Sequence, residues 1–185
     1  MSSSEISVFV GLGTFFVITI TAIAAVIQLR HLRRANELEG LLSVVARIDS
    51  MDFQWIIDET RRLVADRMPD AAYRRSIVEG TFDRANNPWL QLGNVYEWLG
   101  TLVRWKLIPE AALMDMCAPR IISAWKSMEP LIALGRRRPE NALLMENFEY
   151  LYVRSRHWLE QHPSRYPADT PRADLVDRWA EADGV

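Results

Sequence analysis

The chain has 185 residues, a net charge of −2 at pH 7 and 49% apolar residues. This balance provides no broad basic surface, so nucleic acid is not an expected partner. The single cysteine, Cys117, excludes an intramolecular disulfide and a metal site built from several cysteines. Only Lys106 and Lys126 are lysine, so 20 of the 22 basic residues are arginine, which is typical of a GC-rich bacterial genome.

The first predicted element is an apolar helix from Ile6 to Leu29, with no charged residue between Glu5 and Arg30. At about 1.5 Å per residue it would extend roughly 36 Å, enough to cross a hydrocarbon core of about 30 Å. A cleaved signal peptide and a buried core helix are the alternatives. The start of the chain has no basic residue and the apolar run is longer than a signal peptide needs, so we expect an uncleaved transmembrane helix.

The basic residues beside this helix predict its orientation. Arg30, Arg33 and Arg34 follow it and no basic residue precedes it, and such residues stay on the cytoplasmic side. We therefore expect residues 1–5 to form a short outer tail and residues 30–185 to lie in the cytoplasm, on a single-pass protein of the bacterial inner membrane. The three arginines are predicted to meet lipid headgroups.

Residues 30–162 are predicted to form a cytoplasmic helical bundle. We expect the first helix to continue to Asp49, and Ser50 to cap a second helix that Pro69 ends. A short helix from about Pro69 to Gly80 should follow. The stripe of apolar residues at helical spacing that comes next predicts the central core helix, and it consists of Trp89, Leu92, Tyr96, Leu99 and Val103.

Proline positions set the remaining predicted boundaries. Pro109 and Pro119 are each expected to start a helix, and the last long helix is expected from Pro139 to His162. Residues 163–185 are predicted to be a Pro-rich linker followed by a short acidic amphipathic helix, which Thr170 would cap. No convincing alternating strand occurs, so the predicted fold class is all-α: one transmembrane helix followed by a helical bundle.

Several short segments point to a known family. They are the apolar helix with its basic junction, Ala35-Asn36-Glu37, Asn94 to Gly100 (NVYEWLG), Trp125 ahead of Pro130, and Asn147-Phe148-Glu149. Together, over most of residues 6–160, they resemble the bacterial domain-of-unknown-function family 4760. The resemblance implies an anchored, cytoplasmic helical protein and carries over no catalytic residue.

One candidate pocket follows from polar residues on two predicted helices. Asn94, Glu97 and Trp98 would lie on the central helix and Glu149 on the last one, and inward-facing carboxylates could do acid–base work. The alternative is that each carboxylate is paired with one of the many arginines. We find no phosphate-binding loop and no HExxH or nucleophile-elbow motif, so neither a cofactor nor enzymatic activity is expected.

Two other places are candidates for contact with a partner or lipid. The run Arg136, Arg137 and Arg138 could meet acidic headgroups or an acidic partner, although such a run is commonly a solvated turn. Trp179, behind the Pro-rich linker, could dock on a partner or on its own bundle. Of the other tryptophans, Trp98 and Trp125 are expected in the core.

The function expected from these features is interaction: a scaffold or accessory subunit of a larger membrane complex, concentrated near its protein partner by the anchor. A membrane-tethered enzyme or small-ligand receptor with a pocket in the bundle is the alternative. It requires the pocket residues to converge, whereas a scaffold requires exposed apolar groups. Homo-oligomerisation through the first helix is a third interpretation.

Overall fold

A computed structural model of the protein describes residues 3–84, 87–164, 166–176 and 179, and over these residues every regular element is helical. The all-α class is therefore confirmed. A short 3₁₀ turn, Pro139–Asn141, lies between the last two α-helices. The α-helices are α1 (Ser3–Asp49), α2 (Met51–Arg67), α3 (Ala71–Glu79), α4 (Pro88–Arg104), α5 (Glu110–Gly135) and α6 (Glu146–Gln161).

The longest element, α1, joins the apolar stretch to the bundle without a break. It has 47 residues and is about 70 Å long. Every residue from Gly13 to Asn36 is exposed, whereas Leu41 and Ile48 nearer its end are buried against the bundle. The predicted continuation to Asp49 is confirmed. The first part of α1 thus projects from a domain that holds only its last turns.

Local capping residues set the next boundaries, and Ser50 does so as predicted. The Ser50 hydroxyl accepts a hydrogen bond from the Phe53 N–H at 3.3 Å and starts α2. After Pro69, Asp70 caps α3 by accepting from the Ala72 N–H at 2.8 Å. Gly80 ends α3 in the left-handed conformation, with φ of 73°, which glycine adopts without a steric penalty.

The centre of the bundle is α4, which packs between α2 and α6. Its predicted stripe from Trp89 to Val103 is buried, and so is Trp125 of α5. Tyr96 of α4 stacks on Phe148 of α6 with ring centroids 4.7 Å apart and meets Phe53 of α2 at 5.8 Å. The apolar periodicity of α4 thus identified the helix around which the others pack.

The predicted helix start at Pro119 is wrong, because α5 runs unbroken from Glu110 to Gly135 with Pro119 and Pro130 inside it. A proline removes the hydrogen bond to the carbonyl four residues earlier. Both prolines are exposed, and so are Asp115 and Lys126, the residues four positions before them. The freed carbonyls are on the solvent side, where water can satisfy them, while the buried side of α5 keeps its hydrogen bonds.

Two predictions near the C-terminus are also wrong. The last helix begins at Glu146 rather than Pro139, because Met145 adopts a left-handed conformation with φ of 59° and its side chain is buried. The predicted terminal helix after Thr170 is not seen over residues 171–176, where Leu175 is 93% exposed. A short helix without a packing surface does not offset its ordering cost. The rest of that prediction, apart from Trp179, falls outside the described residues.

Candidate functional site

Glu97 of α4 accepts three hydrogen bonds from residues at the start of α6. One carboxylate oxygen accepts from the Asn147 backbone N–H at 3.2 Å and from its side-chain amide at 2.8 Å, and the other accepts from the Phe148 N–H at 2.9 Å. The first N–H groups of a helix have no partner within the helix, and Met145 offers no side-chain cap to α6. Glu97 therefore caps α6 from a different helix, with its negative charge at the positive end of the helix dipole.

The same corner brings the α4 and α6 backbones close together. A Cβ at Gly100 would collide with the backbone carbonyl group of Asn147, so only glycine fits this approach. One turn further on, the Arg104 guanidinium donates to Glu146 and to the Asn147 side chain, at 3.2 Å each. The segment from Glu97 to Arg104 thus works as a docking face for the start of α6.

The two carboxylates predicted to line a pocket are engaged within the bundle, and Trp98 lines a groove elsewhere on α4. Asn94 is exposed, and Glu97 is engaged by the start of α6. Glu149 forms an ion pair with Arg136, at 2.6 Å. Trp98 belongs to a different surface. The stated alternative, pairing with arginine, holds for Glu149, whereas Glu97 is hydrogen-bonded to Asn147 and Phe148.

Trp98 is not in the core as expected, but is 70% exposed on the outer side of α4. It borders an open apolar groove of about 290 Å³ between α1 and α4, which we call the Trp98 groove. The groove is lined by Ser43, Val44, Arg47, Ile48, Val95, Trp98, Leu99 and Leu102. Sequence reasoning missed its α1 side, although Val44 and Ile48 are four residues apart on one helix face.

Two members of the arginine run bond to groups of the bundle. Arg136 donates to the Leu144 carbonyl at 2.9 Å in addition to its pair with Glu149. Arg138 donates to the Glu79 carbonyl and pairs with Glu140. Arg137 is exposed, and contact of the run with lipid or a partner stays a prediction.

The candidate contact residues near the two ends of the chain are exposed. Arg30, Arg33 and Arg34 are exposed on α1, and Arg33 also pairs with Glu37 one turn later, at 2.9 Å. Trp179 is exposed, while most of its neighbours fall outside the described residues.

Burial also sets the reactivity of the remaining chemical groups. Cys117 is completely buried, and burial raises the pKa of its thiol, which lowers the share of the reactive thiolate. Burial likewise raises the pKa of the Tyr96 phenol, whose hydroxyl has no hydrogen-bond partner among the described residues. Within that part of the chain, no three His, Cys, Asp or Glu side chains are grouped so as to hold a metal ion.

The apolar part of α1 has the length and composition of a membrane span. Its most apolar 18-residue window has a mean hydropathy of 1.8, and none of that window is buried by the rest of the chain. Of the helices in the described residues, α1 is the one that passes this test, which a signal sequence can also pass.

The fold and surfaces together define an all-helical bundle carried at the end of one long, apolar helix. The chain belongs to the family described as a domain of unknown function (DUF4760), whose family model matches residues 15–155. The resemblance found in the sequence is thus confirmed, and the match includes the end of the apolar stretch, the Trp98 groove and the Glu97 cap. No curated protein and no solved structure matches the chain significantly.

Proposed function

We propose that this protein is a single-pass interaction protein of the bacterial inner membrane, a scaffold or accessory subunit of a larger membrane complex. Its N-terminal tail would face outward and its bundle would lie in the cytoplasm. The unburied apolar stretch of α1 supports the span, and the placement of Arg30, Arg33 and Arg34 behind it supports the orientation.

The observation that carries the interaction role is the Trp98 groove. A tryptophan that is 70% exposed beside an apolar groove has the character of an interface anchor, since tryptophan is enriched among the residues that dominate binding energy. Val44, on the α1 wall of the groove, is 15 residues beyond Leu29, or about 22 Å along the helix. A partner anchored in the same membrane could reach that height with one apolar helix of its own.

The alternative, a tethered enzyme or small-ligand receptor, rested on a pocket formed by Asn94, Glu97, Trp98 and Glu149. Since both carboxylates are already engaged by groups of the bundle and Trp98 lines a different groove, these contacts favour the interaction role. Homo-oligomerisation through the first helix is the remaining alternative.

The test is co-purification from the native membrane. The full-length protein is extracted in mild detergent, and the proteins that accompany it at fixed stoichiometry are identified by mass spectrometry. We expect a defined membrane complex with the wild type and its loss with Trp98→Ala. Trp55→Ala is the matched control, because Trp55 is 62% exposed on α2 and does not line the groove. A wild-type protein that purifies alone as a monomer, or a Trp98→Ala variant that keeps its partner, contradicts the proposal.

A further inference from the structure

The turn between α4 and α5 exposes large apolar side chains to an unusual degree. Trp105 is 72% exposed and Leu107 is 60% exposed, with the charged Lys106 between them. Exposed apolar clusters of this kind mark contact surfaces. We call residues 105–107 the WKL turn.

The backbone holds the WKL turn in a defined shape. The Leu107 N–H donates to the Leu102 carbonyl and the Lys106 N–H to the Val103 carbonyl, both at 2.9 Å, which is the Schellman pattern that ends a helix. The left-handed position of this motif normally holds glycine, but Lys106 occupies it with φ of 55°. The left-handed backbone conformation is unfavourable for a residue with a side chain, yet the cationic Lys106 adopts it between two apolar neighbours.

The position of the WKL turn along α1 is the decisive observation. Lys106 and Leu107 share a shallow hollow with α1 residues at the end of the apolar stretch, namely Leu29, Leu32, Arg33, Asn36 and Glu37. Next to it, the Ile108 side chain is 3.6 Å from where a Cβ on Gly40 would be. Further along, Arg120 of α5 pairs with Asp49 of α1, so α5 runs away from the apolar stretch. The WKL turn is thus at the end of the bundle nearest that stretch.

We propose that the WKL turn is a second membrane contact, seated in the headgroup layer of the bilayer that α1 crosses. This inference rests on the proposed span of α1. Leu32 is about 4.5 Å past Leu29 along the helix, and the headgroup layer is roughly 5–8 Å thick on each side. Tryptophan is enriched at this depth, and Lys106 can extend its charge to lipid phosphates while its stem stays in apolar surroundings.

Charge complementarity identifies the kind of surface. Arg33 of α1 lines the same hollow as Lys106, together with Glu37, and Arg30 and Arg34 are exposed within one helical turn of Arg33. These four basic residues outnumber the one acidic residue of the hollow, so the membrane-facing end of the bundle is basic although the whole chain is slightly acidic. A bilayer that contains anionic phospholipid fits this end. Two contacts, one through α1 and one through the WKL turn, would fix the tilt of the bundle and thereby the height of the Trp98 groove.

The test measures the depth of single labelled positions in the reconstituted full-length protein. Leu107→Cys and, separately, Trp105→Cys carry an environment-sensitive fluorophore in vesicles of phosphatidylcholine and phosphatidylglycerol. Nitroxide lipids that quench either near the headgroups or near the bilayer centre report the depth. Cys117 can stay, since it is completely buried. Leu143→Cys is the control, because it is 74% exposed but follows the far end of the 26-residue α5.

We expect a blue shift and a loss of emission to the headgroup-level quencher at positions 107 and 105, and neither change at position 143. Ile20→Cys, in the middle of the apolar stretch, should be quenched by the deep lipid and tests the span itself. If positions 107 and 105 behave like position 143 while position 20 is quenched, the second contact is refuted and the span stands. If position 20 also escapes quenching, the proposed span fails as well.

Discussion

Glu97 allows the sharpest test of how the bundle is held together. Glu97→Ala leaves the Asn147 and Phe148 N–H groups at the start of α6 without the acceptor that the structure gives them. Loss of a helix cap costs about 0.5–2 kcal/mol, and a hydrogen bond to a charged group contributes about 1.5–3 kcal/mol. Glu97 is only half-buried, so water can replace some of the lost hydrogen bonds. We therefore expect Glu97→Ala to lower the free energy of unfolding by about 2 kcal/mol.

The assay is urea unfolding of the full-length protein in a non-ionic detergent, followed by the helical circular dichroism signal. Glu97→Gln keeps one acceptor oxygen and the shape of the side chain but loses the charge, so it should cost about half as much, roughly 1 kcal/mol. Asn94→Ala is the control, since Asn94 is exposed on the same helix and alanine is the better helix former. If Glu97→Ala unfolds at the same urea concentration as Asn94→Ala, the capping argument is refuted.

Three further predictions use the same unfolding assay. Gly100→Ala should lower stability by about 1–3 kcal/mol, because its Cβ meets the Asn147 backbone, whereas Gly40→Ala should raise stability by roughly 0.5–1 kcal/mol, because its Cβ makes only an ordinary contact. Tyr96→Phe should be neutral or stabilising by up to about 1 kcal/mol, since it removes a buried hydroxyl without a described partner. The raised pKa of Tyr96 means that the unfolded chain loses this proton first, so wild-type stability should fall above about pH 10, and less steeply in Tyr96→Phe.

Three outcomes of the unfolding assay would contradict these predictions. Equal midpoints for Gly100→Ala and Gly40→Ala would show that the α4–α6 approach tolerates a methyl group. A loss of more than about 1 kcal/mol in Tyr96→Phe would show that the hydroxyl has a partner. Identical alkaline slopes for Tyr96→Phe and the wild type would show that another group controls the loss of stability.

Local signals in the sequence predicted the first half of the fold well. Ser50 and Gly80 act within one helical turn of their own positions, so their residue types alone indicate where a helix begins or ends. The apolar stripe of α4 predicted its buried face for the same reason. These features depend only on residues that are close in sequence, so the sequence alone can predict them.

The features that sequence reasoning missed depend on neighbours in space. Pro119 looked like a helix start, but it is tolerated inside α5 because it is on the solvent side. The start of α6 is set by Glu97, which is 50 residues away from Asn147 in sequence. Trp98 is one position from Leu99 of the buried stripe, and whether a side chain beside that stripe is covered depends on which helices pack there. The partners of the two candidate-pocket carboxylates likewise come from segments that are distant in sequence or on a neighbouring helix.

Membrane topology is the central claim on which the proposed function depends, and site-specific labelling tests it most directly. A membrane-impermeant maleimide is applied to spheroplasts that express the full-length protein with either Ser4→Cys or Ser164→Cys. Cys117 is completely buried and serves as the internal control. We expect Ser4→Cys to react in intact spheroplasts and Ser164→Cys to react only after permeabilisation. Labelling of Ser164→Cys in intact spheroplasts, or release of the protein from membranes by carbonate, would contradict it.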